Sequence, residues 1–120
     1  MKRKNFDHLQ CPVAATLSVI GDHWSMLIIR DLFFGLSRFD ELQADLGIAR
    51  NVLSERLKKL VAEGIIERSQ GARGRAEYHL SESGRELRKV MISMARWGEV
   101  HRPEKSGGSR WRELSTQAAE

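Results

Sequence analysis

The chain has 120 residues, 41% of them apolar and 30% charged, a size and balance that suit one modest core and exclude a fibrous repeat or a chain too polar to fold. Lysine and arginine outnumber aspartate and glutamate by 20 to 16, an excess compatible with an anionic partner. The single cysteine, Cys11, excludes an intramolecular disulfide framework and a cysteine-based zinc cluster, and no apolar run approaches the roughly 18 residues of a membrane span, so a cytoplasmic protein with no membrane partner is expected.

Pro12 suits the first position of a helix, and Val13, Leu17 and Ile20 follow at helical spacing before Gly21. Lys2, Arg3 and Lys4 precede this stretch, but Asn5, Asp7, His8 and Gln10 intervene and no cleavage motif follows, which argues against a secretory leader. Asp22 is placed to cap a second helix with Trp24, Leu27, Ile28 and Leu32 on one face and Met26, Ile29 and Phe33 on the other. A helix apolar on most sides needs neighbours on most sides, so it is expected at the centre of the core or against a second subunit.

Ser37 and Asp40 have the spacing of a capping box, and Phe39, Leu42 and Leu46 continue with helical periodicity until Leu46-Gly47-Ile48 breaks it. The next helix is expected over about 49–62, burying Leu53, Leu57, Leu60 and Val61 and closing at Gly64. Two short helices joined by a glycine-containing turn form a helix-turn-helix unit. Residues 65–69 and 76–80 are β-compatible and flank the sequence Gln70-Gly71-Ala72-Arg73-Gly74-Arg75, a hairpin with a basic tip. Ser81 is placed to cap a last long helix carrying Leu87, Val90, Met91, Met94 and Trp97, which is expected to stop near Gly98. The fold predicted is mainly α with a small β-hairpin, a winged helix-turn-helix, over residues 1–102. Residues 103–120 read as a polar, mobile tail in which Trp111 and Leu114 are the large apolar exceptions.

Charge is concentrated where such a fold meets a duplex. Between Arg50 and Arg75 stand Arg50, Arg56, Lys58, Lys59, Arg68, Arg73 and Arg75 against Glu55, Glu63 and Glu67. Arg50, Ser54 and Lys58 form one row on the second helix of the unit, with Asn51 and Glu55 beside it, near the helix N-terminus where base edges are usually read. Arg56 and Lys59 are better suited to phosphates or to the protein surface, and Glu55 either accepts from cytosine or pairs with Lys59 one turn on. Arg73 and Arg75, on a tip freed by Gly71 and Gly74, suit the backbone or a minor groove. Any one of these residues alone is most simply a solvated surface charge; the set converges on two elements that a winged helix presents to one side.

The residues also resemble a known family, the HxlR-type winged-helix regulators of bacteria. The likeness runs from Cys11 to about Gly98 through Cys11-Pro12-Val13, Ile20-Gly21-Asp22-His23-Trp24, Arg38-Phe39-Asp40-Glu41-Leu42, Gly47-Ile48-Ala49-Arg50-Asn51-Val52-Leu53, Arg56-Leu57, Glu77-Tyr78-His79-Leu80, Gly84 and Trp97-Gly98. It implies a repressor-type, double-stranded-DNA-binding homodimer on a pseudo-palindromic site, with Arg38 and Ala49 joining the DNA-contacting set and with Lys59 kept in it. It implies an interface built from the terminal helices, for which Val13, Leu17, Trp24, Val90, Met91, Met94 and Trp97 are the candidates. His23 stands where the family commonly has lysine, and the wing has glycine and arginine where the family often has proline and aromatics. Some members sense quinones, aldehydes or oxidants through a cysteine near Cys11, so an electrophile, oxidant or small ligand is a candidate effector; the plainer reading of Cys11 is a small residue packed at a dimer interface.

Neither a cofactor nor a metal site is expected, since His8, His23, His79 and His101 fall on different elements. An enzyme using Cys11 as nucleophile and His8 as base lacks an orienting third group and an oxyanion loop. The remaining alternative is a winged helix that docks protein or RNA through the same helix face.

Overall fold

A computed structural model describes residues 8–107. Six helices, α1 (Pro12–Ile20), α2 (Ser25–Phe33), α3 (Phe39–Leu46), α4 (Arg50–Ala62), α5 (Glu82–Glu86) and α6 (Arg88–His101), surround one antiparallel hairpin of β1 (Ile66–Gln70) and β2 (Ala76–Leu80). The mainly α, winged helix-turn-helix fold expected from the sequence is the one observed. No single helix among the described residues is long and apolar enough to cross a membrane.

The core is organised around α2. Asp22 accepts hydrogen bonds from the N–H groups of Trp24 and Ser25 and from the Ser25 hydroxyl, which satisfies donors that the first turn leaves unpaired. Ile28 and Ile29, successive residues about 100° apart on the helix, are both fully buried, so α2 is enclosed on more than one side. Leu42 from α3, Leu53, Leu57 and Leu60 from α4, Ile66 from β1 and Met91 from α6 close around it. Val61, expected in this stripe, is at the surface, because it lies one residue past the inward row 53, 57, 60 and is turned toward the hairpin side.

Asp31 is a charged residue inside this core. Its Oδ1 accepts from Arg30 Nε and Nη2 at 3.1 and 3.0 Å, while its Oδ2 is buried with no donor; the same guanidinium reaches Asp45 on α3 at 3.3 Å. Burial, with the neighbouring Asp45 carboxyl, outweighs the attraction of Arg30 and pushes the Asp31 pKa up to about 6.

The start of α3 differs from the expected cap. Glu41, not Asp40, turns back to accept from the N–H groups of Arg38 and Ser37, at 3.0 and 3.2 Å, because Arg38 is the residue that precedes the first turn and Glu41 stands three positions after it. Gly47 ends α3 in the left-handed region with φ 65°, a conformation costly for a side-chain-bearing residue, and the chain turns into α4 through Ile48 and Ala49.

The hairpin pairs Ile66 with Leu80 through to Gln70 with Ala76, so β1 lies one residue later than the sequence suggested. The last helix is not continuous. Ser81 caps it as expected, accepting from Gly84 N–H, but the chain bends at Leu87 and separates α5 from α6. Gly84 is the physical reason for the docking of α5: it packs so tightly on the start of the hairpin that a Cβ would collide with the Ile65 carbonyl oxygen. Gly98 does not stop α6, which continues to His101; the 3-10 turn Pro103–Lys105 then folds back until the Ser106 hydroxyl packs beside Gly98. Residues 103–107 of the expected tail therefore lie against α6, whereas Trp111 and Leu114 fall outside the described residues.

Candidate nucleic-acid interface

Helical geometry sorts the side chains of α4 into three rows. Residues 53, 57 and 60 enter the core. Arg50, Asn51, Glu55 and Lys58 are exposed, with Ser54 half-buried between them and Ala49 exposed at the entry to the helix. The third row, Val52, Arg56 and Lys59, faces the α1–α2 corner.

That third row bears on Lys59, for which the sequence leaves both a phosphate and the protein surface open and which the family resemblance keeps in the DNA-contacting set. Lys59 is not on the outward face: its Nζ donates to the Ser18 and Val19 carbonyls at 3.0 and 3.2 Å, where the last turn of α1 leaves acceptors open. Arg56 lies beside it, with Nε 3.0 Å from Asp22 Oδ2. Burial pushes the Asp22 pKa up, but the bonds from Ser25 and Trp24 and the charge of Arg56 outweigh it and leave the carboxyl below its ordinary range. Glu55 does not pair with Lys59; a cation within reach is Arg56, at 3.9 Å, and Glu55 keeps its outward position.

Arg50 extends over the Phe39 ring, 4.7 Å from its centroid, and donates to Gln43 and to Asp40. The wing is brought to the same side by a contact that periodicity did not reveal. The chain just before α3 forms an antiparallel bridge with β2, Arg38 to Glu77, and Tyr78 N–H donates to the Ser37 carbonyl at 2.8 Å. Arg38, Arg73 and Arg75 consequently line one recess at the base of the wing, and Arg38, Arg50 and Arg75 line the next, toward α4. Arg73 sits at the tip with φ 61°, exposed, and neither it nor Arg75 pairs with an acid among the described residues. Between α4 and the hairpin, Ser54 and Lys58 face Arg68 and Tyr78 across a groove. Arg68 was counted among the basic residues but not assigned to the site; the strand register places it opposite Tyr78 on the hairpin.

The chemistry available is a polar helix face whose side chains both donate and accept, flanked by the wing residues Arg73 and Arg75, which pair with no acid among the described residues. It matches the need to touch phosphates on both sides of a groove and base edges within it.

A second surface is apolar. Val13 is 66% exposed on α1, Met94 54% and Trp97 59% on α6, and Leu17 and Val90 are exposed between them. Val13, Leu17, Leu27, Val90 and Met94 line a groove between α1, α2 and α6. Met91 belongs instead to the core of the chain, and Trp24 packs half-buried against that core. Cys11 is exposed at the N-terminus of α1, immediately before Pro12 and Val13 of the groove. Among the described residues no group of three histidine, cysteine or acidic side chains is placed to hold a metal ion.

A family model described as HxlR-like helix-turn-helix matches residues 19–106. The chain is 38% identical over 97 residues to the uncharacterized HTH-type transcriptional regulator Rv3095 of Mycobacterium tuberculosis, a match covering 79% of this chain and 61% of that protein, so the chain spans less than two thirds of this relative. Among solved structures, PA1607 is 46% identical with a TM-score of 0.74, covering 77% of this chain and 66% of that one. The redox regulator HypR in its reduced form is 34% identical with a TM-score of 0.70, covering 77% and 94%.

Proposed function

The chain belongs to the HxlR-like helix-turn-helix family, whose matched relatives are named as transcriptional regulators and not as enzymes, and we propose that it binds double-stranded DNA as a homodimer and represses transcription in the cytoplasm. One observation carries this reading: the outward row of α4 and the arginines of the wing open on the same side of the molecule, joined through Arg38. In the proposed complex α4 enters the major groove, Arg50, Asn51, Ser54, Glu55 and Lys58 meet base edges, and Arg38, Arg68, Arg73 and Arg75 hold phosphates or a minor groove.

Pairing is supported by the apolar face of α1 and α6, since contiguous exposed apolar patches on soluble proteins mark contact surfaces. Two copies joined there would set their reading helices on a pseudo-palindrome with half-sites about 34–36 Å apart, or a multiple of that. A dimer covering such a length of promoter competes with the transcription machinery for it, which is why repression is the mode proposed.

A redox or electrophile signal is the proposed input. HypR is named a redox regulator, and Cys11 is exposed at the start of α1, where a reagent in solvent can reach its sulfur. With one cysteine in the chain, oxidation to a disulfide has to join two subunits or capture a small thiol.

Selection from random duplexes tests the reading directly. A recovered palindrome, with affinity falling steeply as salt rises, is the expected result. Binding without sequence preference at physiological salt, or preference for RNA, overturns it.

A further inference from the structure

We infer that Arg56 and Lys59 are positioning residues that lock the reading helix α4 to the α1–α2 corner and thereby set the spacing between the two reading helices of a dimer. The inference rests on the pairing and DNA-binding proposed above.

α1 is held to the body of the protein by limited apolar burial: Ala14 and Ile20 are buried and Val19 packs partly buried against the core, while Val13 and Leu17 face outward. Apolar contacts are also non-directional, so on their own they leave a helix free to roll or slide. α4 supplies directional ties. Lys59 donates to two carbonyls in the last turn of α1, and Arg56 holds Asp22, whose carboxylate in turn anchors the first turn of α2. The Arg56–Asp22 pair is shielded, with the two side chains 28% and 10% exposed, so it is stronger and less salt-sensitive than a surface pair. The one bond from Arg56 and the two from Lys59 are directional, so together they restrict the angle of the corner as well as its distance.

Val13 and Leu17 of α1 lie on the proposed pairing face, and Arg50 to Lys58 of α4 on the proposed reading face. Besides the apolar packing of Ile20 and Val19, the two faces are therefore connected by polar bonds of three side chains, Asp22, Arg56 and Lys59. In a dimer, any play at this corner appears as play in the separation and relative rotation of the reading helices. One base pair shifts a half-site by about 3.4 Å along the duplex and turns it by about 35°. A rigid corner rejects such a shift and a loose one tolerates it.

The experiment uses duplexes carrying two copies of the selected half-site at the selected spacing and at one base pair more or less, together with a single half-site duplex. Binding is measured for the full chain and for the Arg56→Gln, Arg56→Lys and Lys59→Met variants, with folding checked by circular dichroism and assembly by sedimentation. Arg56→Gln and Lys59→Met are expected to flatten the spacing preference about fivefold, equivalent to about 1 kcal/mol, with unchanged affinity and salt slope on the single half-site. Arg56→Lys, which keeps a cation beside Asp22, is expected to recover part of the preference. Equal losses on every duplex with a shallower salt slope would make these residues phosphate contacts and overturn the inference, as would an unaltered spacing preference in folded, dimeric variants. If Arg56→Gln fails to fold, Lys59→Met decides by the same two readouts. A monomeric parent chain is a separate outcome: it overturns the pairing reading itself, and this inference with it.

Discussion

The Arg50 guanidinium lies 3.3 Å from the Asp40 carboxylate, so the leading candidate for base contact on α4 is tethered to α3 in the free protein. Both side chains are largely exposed, and an exposed pair contributes at most about 1 kcal/mol, little enough for a duplex to exchange it for a base or phosphate. The Phe39 ring also lies beneath the guanidinium, so Arg50 rests on α3 while the pair holds. Asp40→Asn is expected to leave the melting temperature nearly unchanged and to tighten duplex binding. The slope of log affinity against log salt should stay nearly the same, because the duplex displaces the exposed pair in the parent chain as well and Arg50 is assigned to a base edge and not to a phosphate. Anisotropy titrations at three salt concentrations measure both quantities, and an unchanged affinity would show that Asp40 does not compete with the duplex for Arg50.

Arg73 occupies the left-handed region at the tip of the wing, with φ 61° and ψ 26°. For an L-residue that conformation costs about 1–2 kcal/mol, and no ion pair among the described residues compensates it. Arg73→Gly removes the strain but loosens the unfolded chain, so stability is expected to change by less than about 1 kcal/mol. Duplex affinity is expected to fall by a similar factor on all sequences, the signature of a backbone contact. A variant that loses stability while keeping its affinity would assign the arginine to the fold of the wing.

Asp31 gives a pH dependence of defined sign. Its pKa is raised to about 6 in the folded protein from an ordinary 3.8, so between those values the folded chain holds a proton that the unfolded chain releases. Stability from this group is therefore full below the lower value, declines as pH rises through the window, and stays low above about 6. Asp31→Asn keeps the shape, presents acceptors to Arg30 and a donor toward Asp45, and does not titrate. The variant is expected to be more stable than the parent chain at pH 7–8, with the advantage disappearing toward pH 4. Asp22 and Glu41, whose pKa values are lowered, act in the opposite direction in both proteins and cancel in the comparison. Urea midpoints from pH 4.5 to 8 provide the test, and a difference that is flat with pH would contradict a shared proton at Asp31.

Periodicity and turn chemistry were enough to read α4 and its reading row from the sequence. Leu53, Leu57 and Leu60 define the inward stripe, Gly47 marks the preceding turn, and Arg50, Ser54 and Lys58 must then point outward. Lys58 and Lys59 show where that reading stops. They are neighbours of the same chemistry about 100° apart on the helix, and what distinguishes them is a pair of carbonyls some forty residues earlier in the chain. The break at Leu87 was hidden for a related reason: Gly84 reads as a weak point in a helix, and only its packing on Ile65 makes it a docking point. The cap at Glu41 was local and could be read in principle, but Arg38 is an unusual residue to precede a first turn, so Ser37 drew the assignment one position early. Arg38 itself joined the site through a bridge to Glu77, a long-range pairing that helical spacing cannot encode.

The proposed pairing face makes the most demanding prediction, because it involves side chains on separate helices. Leu17 on α1 and Met94 on α6 are exposed in the single chain, 46% and 54%, so a carboxylate at either position costs the monomer fold little. Buried at a dimer interface, the same carboxylate would be desolvated without a partner, a penalty of several kcal/mol counted twice across a twofold axis. Leu17→Asp and Met94→Asp are each expected to give folded monomers in sedimentation equilibrium, while Ala15→Asp, an exposed α1 position not among the groove-lining residues, should remain paired. Affinity for a two-half-site duplex should fall in both monomers to that for one half-site, since the reading row of α4 is untouched and what is lost is the second helix held at a fixed distance. Dissociation by one substitution but not the other would mean that α1 and α6 do not form one continuous interface.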